Sequence, residues 1–187
     1  MSIEPKPRHW TLEDWDRMIA SGVFREGQHA ELIEGEVLEM TPAGDRHVGM
    51  LLAMVEDLGD CLPREEVVLA QQTSIRLHED SEPEPDILVL RRKHQRAAPG
   101  KPRAADVFLL VEIADTSLHY DLHTKVPLYA RNGIPEVWVV DLNANAVHVF
   151  RDPRAGEYRH AGLHTGGDLA PEAFPAAAID LRRLFEA

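Results

Sequence analysis

The chain has 187 residues, 44% of them hydrophobic and 28% charged, and a formal net charge of −12. That length suits one domain with a substantial core. The acidic balance argues against a protein that coats nucleic acid with clustered Lys and Arg, though not against an enzyme with a local basic patch. One cysteine, Cys61, excludes an internal disulfide and fits a reducing compartment. The stretch MSIEPKPRHW lacks the apolar core and small-residue cleavage pattern of a signal peptide. No apolar run approaches the ~20 residues of a membrane helix, so a cytoplasmic protein without a membrane partner is expected.

No internal repeat, low-complexity tract or linker interrupts the chain. Residues 1–187 read as a single domain with its core over about 28–142, an N-terminal helix before it and a strand-and-helix extension after it. TLEDWDRMIASG predicts a helix capped by Thr11 and stopped by Gly22. ELIEGEVLEM predicts two short strands around a Glu34-Gly35 turn. From Asp45 to Leu62, the residues Val48, Leu51, Leu52, Val55 and Leu58 recur at helical spacing. EVVLAQQTSIRLH reads as one or two strands, and DILVL as a short strand opening after Pro85. DVFLLVEIA has the continuous apolar character of a strand buried on both faces. DLHTKVPLYARNG predicts a helix with Gly133 as its stop, and Pro127 leaves its start open; His119 falls ahead of it. EVWVVDL is a further buried strand, AVHVFRD pairs with it through Asn143-Ala144-Asn145, EYRHAGL can add another, and LRRLFEA closes as a short helix. The expected class is α/β, an α+β mixed sheet flanked by helices.

Asp86 and Glu112 each stand at an end of an otherwise apolar strand, and the two strands are consecutive and so expected to be close. A buried carboxylate without a partner costs several kcal/mol, so each needs a counter-charge or a metal. Converging carboxylates form the hard-oxygen site that Mg²⁺ or Mn²⁺ uses. Asp121, Lys125 and Tyr129 fall at i, i+4 and i+8, on one helical face, from which the Lys125 ammonium could reach those carboxylates. Metal-assisted phosphodiester hydrolysis needs such parts. Spacing alone leaves the alternative open: Asp86 capping a turn and Glu112–Lys125 as a structural ion pair.

At these residues the sequence resembles the PD-(D/E)XK nuclease superfamily, and within it a large bacterial family grouped with restriction endonucleases and once classed as a domain of unknown function. The matching stretches are ELIEGEVLEM followed by His47, PDILVL, VEIADTS, the D-x3-K-x3-Y run from Asp121 to Tyr129, GIPEVWVVDL and FPAAAIDLRRLF. The resemblance spans roughly residues 10 to 186. It implies a restriction-endonuclease-like core and a nuclease site in which Asp86 and Glu112 hold the metal and Lys125 is catalytic. Glu31 matches an N-terminal acidic position that would support the metal or its water, and His47 matches a supporting one. The superfamily lysine usually stands two residues after the second acid; here that position is Ala114, and Lys125 on the following helix replaces it.

The stretch RRKHQRAAPGKPR, residues 91 to 103, holds six Lys/Arg and no acid. A solvated loop accounts for it; so does a phosphate grip by Arg91, Arg92, Lys93 and Arg96, tethered at both ends to the strands that bear the carboxylates. DNA is the expected partner, and a homodimer would supply two sites for a double-strand cut. Two other readings compete. His119 and His123 at i, i+4 could hold zinc, though the glutamate that follows the first histidine in metalloprotease helices is missing. The fold could also serve as a non-cutting module that binds nucleic acid or a protein. Trp10, Trp15 and Trp138 read as packing residues rather than base-stacking platforms.

Overall fold

Residues 6–25, 28–92 and 100–186 are described by the computed structural model. Helix α1 (Leu12–Ala20) starts at Thr11, whose hydroxyl accepts the Asp14 N–H (3.2 Å) while the Asp14 carboxylate accepts the Thr11 N–H (3.3 Å). This reciprocal cap satisfies two donors that a helix start otherwise leaves bare. The helix ends at Ser21, with Gly22 beyond it at φ +69°. Strands β1 (Ala30–Ile33) and β2 (Glu36–Glu39) form a hairpin. Its two turn residues, Glu34 and Gly35, both have positive φ, the geometry that matches strand twist in a two-residue turn.

Helix α2 (Asp45–Cys61) buries Leu51, Met54 and Leu58 against one face of a six-stranded sheet. The sheet order is β3 (Val67–Gln71), β4 (Ile87–Arg91), β5 (Val107–Ala114), β6 (Glu136–Asp141), β7 (Ala146–Arg154) and β8 (Glu157–His164). Neighbours are antiparallel except β5 and β6, which run parallel. The expected mixed sheet with flanking helices is the observed architecture. EVVLAQQTSIRLH contributes one strand, because Gln72 turns to φ +43° and donates its N–H to the Asp86 carbonyl.

Parallel neighbours require a crossover, and a helical run supplies it. It comprises α3 (Leu118–Tyr120), a π-helical segment (Asp121–Lys125) and α4 (Val126–Arg131). His119 therefore lies inside the helical run rather than ahead of it, because the Asp121 N–H already closes a turn on the Ser117 carbonyl. The π segment follows from Pro127. A proline ring collides with the carbonyl four residues earlier and brings no N–H of its own. Here Val126 N–H reaches back five residues, to the Asp121 carbonyl, and the wider turn accommodates the ring.

Period-2 alternation divides β5 between two cores. Leu109, Val111 and Ile113 face α2; Leu110 and Ala114 face Val126, Leu128 and Tyr129 of α4, with Ile33 of the hairpin in the same cluster. Glu112 belongs by alternation to the α4 side. A two-stranded pair, β9 (Asp168–Leu169) with β10 (Ile179–Asp180), and helix α5 (Leu181–Glu186) pack beside α2. Among the described residues no helix is long and apolar enough to cross a membrane.

Candidate active site

The carboxylates meet where β4 begins and β5 ends, a consequence of antiparallel pairing that sets Ile87 opposite Val111. Asp86, the residue before β4, accepts the Ile113 N–H at 2.7 Å, a bond that ties it to the strand carrying Glu112. Its other oxygen lies 3.0 Å from His47 Nε2, in the first turn of α2. Arg46 anchors that turn by bonding Asp115 (3.0 Å) and Asn143 (3.2 Å) beyond the ends of β5 and β6. Glu112 Oε1 accepts the Tyr129 hydroxyl (2.5 Å) and lies 3.3 Å from Lys125 Nζ. Lys125 also donates to Glu31 Oε1 at 3.1 Å, and the same oxygen accepts the Glu84 N–H at 2.9 Å. Asp121 accepts the Ser117 hydroxyl at 2.6 Å.

Glu31, Glu112, Asp121 and Lys125 are all at least 96% buried, and Tyr129 is wholly so. Burial works against the Lys125 charge, but Glu112, Glu31 and Asp121 together outweigh it and hold the ammonium above the ordinary lysine range. Burial also drives the Glu112 carboxyl well above the usual carboxylate range; Lys125 pulls it down, while Asp121, Asp86 and Glu31 add to the rise. The two directions are compatible, since Glu112 feels more acids than one ammonium can offset. Asp121 is raised likewise by burial, against Lys125 and the Ser117 hydrogen bond. His47 is raised by its hydrogen bond to Asp86, against burial, and by the charges of Asp86, Asp115 and Asp121. The cluster sets four carboxylates against one lysine and one histidine.

Three buried polar atoms lack a hydrogen-bond partner among the described residues: Glu31 Oε2, His47 Nδ1 and the Tyr120 hydroxyl. All three belong to this cluster or border it. Tyr120 escapes sequence reasoning, because a tyrosine beside an aspartate carries no spacing signal. Ser117, which orients Asp121, is equally silent.

Of the four basic residues expected to grip phosphate, Arg91 and Arg92 are described, and they stand away from the carboxylates. Asp86 precedes the first residue of β4 and Arg91 is its last, so about 17 Å of strand separates them. Arg91 donates to the Ala105 carbonyl and lies over the Phe108 ring, and Arg92 donates to the Val67 carbonyl. Neither joins the carboxylate cluster: the tether runs to the opposite ends of those strands. Lys93 and Arg96 lie outside the described residues. His119 and His123 stack with ring centroids 4.2 Å apart, and His123 Nδ1 lies 2.9 Å from the His119 carbonyl oxygen. Among the described residues, no three His, Cys, Asp or Glu side chains form a ready metal cage. Trp15 and Trp138 are buried, the latter donating to Glu136 at 2.7 Å.

No curated protein matches the sequence. Among solved structures, the chain is similar to a protein of Anabaena variabilis ATCC 29413 described as "a putative nuclease belonging to DUF820", at 15% identity and a TM-score of 0.72, over 94% of this chain and 97% of that one. At that identity the likeness establishes a shared fold. The sequence itself matches a family description over residues 12–182, a span that includes both strands, the helical run and every carboxylate of the cluster. The chain belongs to the Uma2 family, whose description reads "Putative restriction endonuclease".

Proposed function

We propose that this protein is a metal-dependent endodeoxyribonuclease that hydrolyses DNA phosphodiester bonds with Mg²⁺ or Mn²⁺. The observation that carries the reading is the buried Lys125 ammonium held between Glu31 and Glu112 beside Asp86. A charge cluster of this density destabilises a fold unless it serves something else. The donor set is hard oxygen, which suits Mg²⁺ or Mn²⁺ over softer metals. Mg²⁺ keeps several waters and needs only one or two protein carboxylates, so a complete cage is not required. Asp86 and Glu112 would hold it, and when bound it supplies charge to the phosphoryl oxygens and lowers the pKa of water.

The chain's own residues account for the rest. Lys125 stays protonated and offsets the negative charge that builds on phosphorus-bound oxygens. Glu31 Oε2, without a partner among the described residues, is the acceptor for the proton of the attacking water. The water oxygen bonds to phosphorus as the bond to the leaving sugar oxygen breaks, and that oxygen takes its proton from solvent. Tyr129 fixes Glu112, and His47 fixes Asp86. Incubating supercoiled plasmid with the protein in Mg²⁺, Mn²⁺ or EDTA tests the reading. Nicking or linearisation with metal, lost in EDTA and in Lys125→Ala, is expected; no cutting by the parent with either metal refutes it.

A second reading, a non-cutting module with this fold, is favoured by one feature: Lys125 is already paired with both Glu31 and Glu112 without a ligand. Duplex binding with no cutting would select it. A homodimer would give the first reading two sites for opposite strands, and sedimentation equilibrium measures that state.

A further inference from the structure

The cluster around Lys125 is rich in acceptors and short of donors. Tyr129 gives its proton to Glu112, and Lys125 is shared between Glu31 and Glu112. Tyr120 is the exception. It sits in the last turn before the π segment, close enough to feel the charges of Lys125, Glu31, Asp121 and Glu112, yet its buried hydroxyl bonds to no described residue. A buried O–H surrounded by carboxylates normally takes one of them, since leaving it unmade forfeits the desolvation already suffered. Burial, joined by Glu31, Asp121 and Glu112 and opposed by Lys125, pushes the Tyr120 phenol up to about 12, so at neutral pH it keeps its proton and has a hydrogen bond to donate. The side chain as a whole is partly exposed, which leaves an approach from outside.

We propose that the Tyr120 hydroxyl hydrogen-bonds a non-bridging oxygen of the phosphodiester held at the Asp86, Glu112 and Lys125 site. This inference rests on the nuclease reading and names the residue that meets the substrate's own anionic oxygen. Four carboxylates repel a phosphate, and Lys125 alone is already engaged. A neutral donor adds an anchor for the anion without adding charge. The donor acts on the oxygen as negative charge accumulates there during attack, the position at which a preorganised hydrogen bond accelerates reaction.

Tyr120→Phe keeps the ring and removes only the oxygen. The variant should melt at or above the parent's temperature, because an unpaired buried hydroxyl is lost, while plasmid cleavage falls roughly 10²-fold. An unchanged cleavage rate overturns the proposal. So does a lowered melting temperature, which would give the hydroxyl a structural partner such as bound water. If the parent does not cut, the nuclease reading fails by itself, and Tyr120 is judged on duplex binding in Ca²⁺. Weaker binding by Tyr120→Phe than by the parent then sustains the phosphate contact, and equal binding overturns it.

Discussion

Replacing Lys125 with Met, of similar length and without charge, leaves Glu31 and Glu112 buried beside each other with no counter-ion. Lys125 contacts them at 3.1 and 3.3 Å with side chains at most 5% exposed, so solvent cannot compensate. Breaking a buried pair in this way costs about 3–5 kcal/mol. For a domain of this size each kcal/mol moves the melting temperature by about 2–4 °C, so the variant should melt roughly 6–20 °C below the parent at pH 7.5 in EDTA. The loss should shrink towards pH 5. Glu112 already binds its proton more tightly in the folded than in the unfolded chain, and without Lys125 that rise increases. A carboxyl raised on folding contributes stability that is present below its unfolded value and lost as pH climbs through its folded one, so acid protects the variant more than the parent. Calorimetric melts at the two pH values measure both effects. A loss below about 1 kcal/mol, or one equal at pH 5 and 7.5, would refute the electrostatic account of this cluster.

Other expectations follow from single contacts. Asp86→Asn keeps an acceptor for the Ile113 N–H, so in EDTA its stability should stay within about 1 kcal/mol of the parent while metal-dependent cleavage disappears; a large destabilisation would make Asp86 structural. Glu136→Gln removes the charge that takes the Trp138 indole (2.7 Å), the Arg151 guanidinium (2.8 Å) and the Glu172 N–H (2.6 Å). It should cost about 3 kcal/mol and raise hydrogen exchange first around residues 168–180, which Arg151 also holds through the Ala170 carbonyl. Thr11→Ala should cost about 1 kcal/mol in a thermal melt with cleavage intact, because it breaks only the cap of α1.

What the sequence disclosed was local. The apolar run of β5 already meant two covered faces, and Glu34-Gly35 already meant a tight hairpin. Asp86 and Glu112 stood out because charge at the end of such runs has few benign explanations. Features set by long-range pairing were hidden. Arg91 looked tethered to the carboxylates, but antiparallel strands carry the two ends of one strand in opposite directions, and five residues suffice to remove it from the site. The Glu82 hub, which joins Trp15 of α1, Arg76 and Lys101, and the Glu136 hub on β6 gather partners scattered along the chain. His119 was misplaced for another reason: a proline marks trouble in a helix without saying whether the backbone stops or widens.

The π segment has a consequence for how such a site can change over time. A π turn holds one residue more than the α turn it replaces, so the helical run behaves as two α-helical pieces whose angular phase is set by a single inserted position. Deleting one residue between Asp121 and Lys125 would leave an α turn in its place and set the Pro127 ring against the carbonyl four residues before it, the clash that the wider turn avoids. Substitution there is limited by Asp121 and Lys125 themselves, and a one-codon deletion would disturb the ammonium's setting even with both side chains kept. The vulnerability lies in the count of residues, not only in their identity.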